Sequence, residues 1–155
     1  MAFLVGGVIV VGVLAGSFAT SRSEPDAAAI AMVADEQIGD AITTLSPSSQ
    51  PAAQQKYRQC QYPMGVITVS TPGNPAGGTV SFRTSKYTSP KFHVTDKPQQ
   101  IAIPHPLPES GGLDPFWVEG EAKGLIVSLY PTARMEPVNG TAAITVRWHP
   151  RAPCK

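Results

Sequence analysis

From Met64 to His149, short runs of β-branched and aromatic residues alternate with clusters of Pro, Gly, Asn and Asp, and this punctuation limits the fold more than any other feature. The runs are MGVITVS (64–70), GTVSFRT (78–84), KFHVTD (91–96), QQIAIPH (99–105), FWVEGEAK (116–123), GLIVSLY (124–130) and AAITVRWH (142–149). Between them stand TPGNPAGG, TDKP and PVNG, residues that supply the fixed or positive φ a chain reversal needs. In the first run Val66, Thr68 and Ser70 alternate with Ile67 and Val69, as in a strand with one buried face. Gly120 and Gly124 mark a bulge or tight turn in the later runs. About seven short strands in roughly 95 residues predict a mainly β unit: a small antiparallel β-sandwich, immunoglobulin-like in the broad sense. The 16 prolines and 14 glycines then belong to turns and not to a disordered tract.

The two cysteines, Cys60 and Cys154, bracket these runs and set the expected domain at 60–155. A disulfide between them would close a loop of roughly 95 residues and contribute about 4–5 kcal/mol on a chain-entropy account. Such a bond needs an oxidising compartment. Trp117 lies between the cysteines, as in antibody domains, but Cys154 follows the last strand. The expected bridge is therefore a staple across the two ends of the domain, not a core disulfide.

The N-terminal segment points to the same compartment. MAFLVGGVIVVGVLAGSFAT carries no charged side chain before Arg22. Its apolar run, Ala2 to Ala19, suits a bilayer span of roughly 20 residues better than a short signal core, and no Lys or Arg precedes it. Residues 1–21 are expected to be a transmembrane anchor in contact with lipid through 2–19, with cleavage after Ala19 as the alternative. Gly12 and Gly16 form a G-x-x-x-G pattern, which lets helices approach closely in a membrane. Arg22 alone would hold its side in the cytoplasm. The cysteine pair and the acidic flank argue for an exported C-terminal domain and outweigh it.

Residues 22–45 are expected to form a juxtamembrane helix. Ser23, Pro25 and Asp26 make a helix-start signature, and Ile30, Ala34, Ile38, Ile42 and Leu45 recur at steps of three to four. Asp35, Glu36 and Asp40 occupy other faces. A lipid-seeking helix would place Lys or Arg there, so the stripe is expected to meet protein, either a partner or its own domain. Residues 46–59, with Pro47 and Pro51, read as a linker.

Chemistry-bearing patterns are sparse. The net charge of +1 gives no electrostatic case for nucleic acid. His93, His105 and His149 show neither H-E-x-x-H nor C-x-x-C spacing, so no metal or cofactor is expected. GNPAGGT lacks the Lys-Ser/Thr of a phosphate loop, and ESGGLD has no G-x-S-x-G frame. Asn139-Gly-Thr141 is a glycosylation sequon, but Asn-Gly is also a preferred hairpin turn and is read as one. The least ordinary loop is IPHPLPESGGLDPFW (103–117). Pro104, Pro106 and Pro108 stiffen it ahead of Phe116 and Trp117, which makes it a candidate contact surface.

Together these features predict a non-enzymatic, single-span accessory or scaffold subunit of a larger bacterial membrane complex. Its β-domain would lie in the periplasm or outside and contact larger integral membrane subunits. The alternative is a secreted or periplasmic ligand-binding module released by signal cleavage.

Overall fold

A computed structural model of the chain describes residues 27–58, 64–106, 111–137 and 139–149. Most of the long strands bury the side chains that their sequences alternate. In β3 (Met64–Ser70) Ile67 and Val69 are buried while Val66 and Thr68 are only half-buried. The strands β1 (Ala28–Ala29), β10 (Thr141–Trp148), β7 (Gly112–Glu121), β4 (Gly78–Arg83) and β5 (Phe92–Val94) form one sheet in that order. The other sheet runs β2 (Ala31–Met32), β3, β8 (Ile126–Val127) and β9 (Ala133–Arg134), with β6 (Gln99–Pro104) also paired to β3. All neighbours are antiparallel except β1 and β10.

The two sheets share one core, consistent with a β-sandwich. Ile67, Val69, Ile101 and Ile103 of one sheet join Val80, Phe82, Phe116, Val118, Val146 and Trp148 of the other. Phe82 stacks on Phe116 with ring centroids 5.9 Å apart. At one end of the core Gly65 lies against Trp148 and Ile30. A Cβ on Gly65 would come within 2.8 Å of the indole Cζ3 and 2.7 Å of Ile30 Cδ1, so any larger residue would force these side chains to shift.

The expected helix over 22–45 is corrected. Ala28–Ala29 and Ala31–Met32 are strands, and α1 spans only Ile38–Thr43 after a 3-10 turn at Asp35–Gln37. Alanine favours helix intrinsically, but tertiary pairing overrides a weak propensity. Ile30 drops into the core at 0% exposure, and the chain on either side hydrogen-bonds to a different sheet. The β-unit therefore begins before Cys60, and the expected boundary at 60–155 moves with it. The expected linker 46–59 is corrected as well, since Gln50–Arg58 is helix α2. Pro51 opens that helix instead of ending one: its missing N–H falls in the first turn, where no intrahelical partner exists. Ser49 O accepts the Ala53 N–H at 3.0 Å.

Pro115 also misleads, because it sits inside β7, a central strand. It is opposite Thr145 on β10. Gly140 O accepts from Gly120 N on the β7 side, whereas Arg147 O accepts from Ile30 N on the other side. The backbone of Thr145 therefore points away from β7, and the pair needs no N–H from residue 115. On the opposite flank, pairing with β4 begins only at Trp117. The proline fills a position where the ladder asks nothing of it.

Helices α1 and α2 form a third layer on the outer face of β3 and β6. Ile38, Ile42, Leu45 and Ala53 pack there with Met64 and Ala102. Thr44 Oγ1 accepts the Ala102 N–H at 2.8 Å, which covers the open edge of β6. Among the described residues no helix is long and apolar enough to cross a membrane. The expected anchor at 1–21, with Gly12 and Gly16, lies outside the described residues, as do Cys60, Cys154 and Pro108.

Candidate interaction surfaces

Of the two fates expected for the apolar stripe, a partner or its own domain, the structure shows the second. Ile30 belongs to the inter-sheet core, and Ile38, Ile42 and Leu45 lie beneath the helical layer at 7%, 3% and 1% exposure. Ala34 is exposed and takes no part. Phe116 is fully buried, and Pro104 and Pro106 are buried too, so the proline arm offers no surface at these positions. Trp117 is half-buried on the outer face of β7. Arg83 lies over its ring at 3.9 Å from the centroid and donates to Glu119 Oε1 at 2.8 Å. Strand pairing alone brings these three together, since Arg83 faces Trp117 across β4 and β7.

The histidines do not converge. His93 is exposed on β5, while His105 packs on Trp148 at 4.9 Å and its Nε2 lies 3.0 Å from His149 O. Among the described residues no group of three or more His, Cys, Asp or Glu could hold a metal ion. Asp114 is a buried carboxylate at 3% exposure, and it accepts from both the backbone N–H and the hydroxyl of Ser85. That arrangement ties β7 to the loop after β4. Tyr87, from the same loop, reaches the helical layer, where its hydroxyl accepts the Ser46 N–H at 3.0 Å. Burial there raises its pKa above the usual 10.0, against the lowering effect of the Ser46 bond.

An open trough of about 810 Å³ runs along β4 and β7 between Lys91 and Lys123, with Glu119 and Glu121 on its rim. Its floor is backbone. A Cβ on Gly78 would meet Glu121 O at 2.0 Å, and one on Gly120, at φ 122°, would meet Thr79 O at 2.2 Å. These glycines serve close strand approach and leave a shallow surface of mixed charge.

The sequence reading missed a different surface. Among the described residues the exposed large hydrophobics are Leu113 and Tyr130, which stand in one cross-strand row at 47% and 84% exposure. Leu113 is opposite Arg147, Arg147 is opposite Ala29, and Ala29 bridges to Tyr130. Directly opposed residues project from the same face of a sheet. The order across the sheet is therefore leucine, arginine, alanine, tyrosine. The Tyr130 backbone is held on both polar groups: Ala29 N donates to Tyr130 O at 2.8 Å, and Tyr130 N donates to Ala29 O at 2.9 Å. Alternation around Leu129 and Tyr130 gives their inward and outward sense, but the row depends on register between distant strands, which no local pattern carries.

Comparison with protein-family models, with curated proteins and with solved structures finds no match to this chain.

Proposed function

We propose that the chain is a non-enzymatic accessory subunit of a larger membrane assembly in a bacterial envelope, held by residues 2–19 and presenting an exported, disulfide-closed β-domain. The observation that carries this reading is that β3 begins and β10 ends at the same end of the unit, where Gly65 packs against Trp148. Cys60 is four residues before β3, and Cys154 is six residues after β10. Each segment can span up to roughly 3.3–3.6 Å per residue, so a bond between the two cysteines lies within reach. A staple of this kind belongs to an oxidising compartment, which agrees with the uncharged apolar run ahead of the domain.

The strand order supports an immunoglobulin-like reading of the domain. β10-β7-β4-β5 follows the G-F-C-C′ order of variable-type sheets, and β2-β3-β6 follows A-B-E, with β8 and β9 inserted before the last strand. Such domains present faces and edges for protein contacts. The partners proposed here are larger integral membrane subunits.

The test is an intact mass of protein extracted from membranes, with and without thiol alkylation before and after reduction. A full-length mass with thiols that react only after reduction supports the reading, as does co-purification with larger membrane subunits. A mass short by the first ~20 residues favours the alternative, a released ligand-binding module. Thiols that react without reduction remove the staple.

A further inference from the structure

We infer that the row Leu113–Arg147–Ala29–Tyr130 is a lipid-facing surface, by which the β-domain rests on the headgroup region of the bilayer that holds its N-terminal segment. This rests on the anchored reading above. Isolated exposed apolar residues are ordinary on any protein. Here the two large ones among the described residues fall on a single row, separated by two strands that contribute an arginine and an alanine. Leu113 and Tyr130 stand three strand spacings apart, about 14 Å.

The composition of the row suits the bilayer interface. Tyrosine is enriched at headgroup depth, where its ring meets acyl carbon and its hydroxyl meets water. Arginine is drawn to lipid phosphate, and leucine supplies apolar area. The small Ala29 between Arg147 and Tyr130 leaves their side chains room to enter the interface side by side. The paired backbone bonds between Tyr130 and Ala29 also fix the Cα from which the ring projects, so no backbone freedom there is lost on contact.

Chain length identifies the occupant. Ala29 is ten residues after Ala19, the end of the apolar run. Ten residues reach at most about 35 Å, so the row is tethered near the membrane surface whatever path the intervening chain takes.

The experiment uses the full chain, isotope-labelled, in nanodiscs of phosphatidylcholine and phosphatidylglycerol doped with lipid that carries a nitroxide at its headgroup. Signal broadening is read by NMR. The expected result is selective broadening of Ala29, Leu113, Tyr130 and Arg147, with His93 and Ser81 spared. The double variant Leu113→Ser, Tyr130→Ser changes exposed side chains only and should lose that selectivity while its spectrum keeps the folded dispersion. If the protein stays in the discs and the row is not broadened, this inference fails alone. If the protein does not associate with the discs, the anchored reading fails with it. Broadening of the row by added protein without nitroxide lipid would mean that a second copy covers it, and would also overturn the proposal.

Discussion

The two hydrophobic clusters of this protein are built on different terms. Between the sheets, Phe82, Phe116 and Trp148 join branched aliphatic residues from both layers, and the strands that carry them are laced into long ladders. Under the helices, Ile38, Ile42 and Leu45 meet Met64, Ala102 and Ala53 of α2. The first cluster has large interlocking side chains and local alternation behind it. The second is small, and two polar bonds tie it to the rest, the Ala102 N–H on Thr44 and the Ser46 N–H on Tyr87, while Gln50 Nε2 on Leu45 O at 3.0 Å joins α2 to the chain after α1. A layer held in this way should open before the sheets do.

Phe82→Ala should have the largest effect. It removes a fully buried ring that stacks on Phe116 and lies 6.3 Å from Phe92, and should cost about 3–5 kcal/mol in urea unfolding. The helical layer and both sheets should then be lost in one transition. Leu45→Ala should cost less, about 2–3 kcal/mol, because the smaller cluster can partly collapse into the space. Hydrogen exchange should show α1 and α2 losing protection while β7 and β10 keep theirs. Equal loss in both regions would break the comparison.

Tyr87→Phe should have the smallest effect of the three, about 1 kcal/mol, by leaving the Ser46 N–H without its partner. The same residue gives a pH signature. Its folded pKa is raised by burial above the unfolded value of 10.0, so its contribution is complete below that value and is lost as pH rises through the folded pKa. An unfolding series above pH 10 should therefore show an alkaline decline in the wild type that is reduced in Tyr87→Phe.

Much of the sheet architecture could be read from the sequence, and the reason is local. Strands such as Met64–Ser70 and Gly78–Arg83 bury alternate residues, so each carries its own evidence of strand and face. The first strands could not be read this way. Ala28, Ala29 and Ala31 have little side chain with which to signal a period, and Ile30 fits a helical stripe as well as a strand. Pro51 and Pro115 were opaque because a proline's effect depends on whether its position needs an N–H, and only the assembled ladder or helix decides that. The candidate surface was least legible. Leu113 and Tyr130 are far apart in sequence, and the row between them closes through Ala29 of β1, the strand that alternation did not reveal.

The parallel pairing of β1 with β10 has a mechanical consequence. Both strands run the same way, so tension pulling the N-terminal end away from the C-terminal end slides one strand lengthwise along the other. The bond from Ile30 N to Arg147 O and the pair joining Ala29 to Tyr130 would then bear the load together, not one after another. Strands peeled from an edge give way bond by bond at low force. A chain gripped along its first strand resists until several bonds break at once, and tension on the N-terminal end would reach the aromatic core only after that grip had failed.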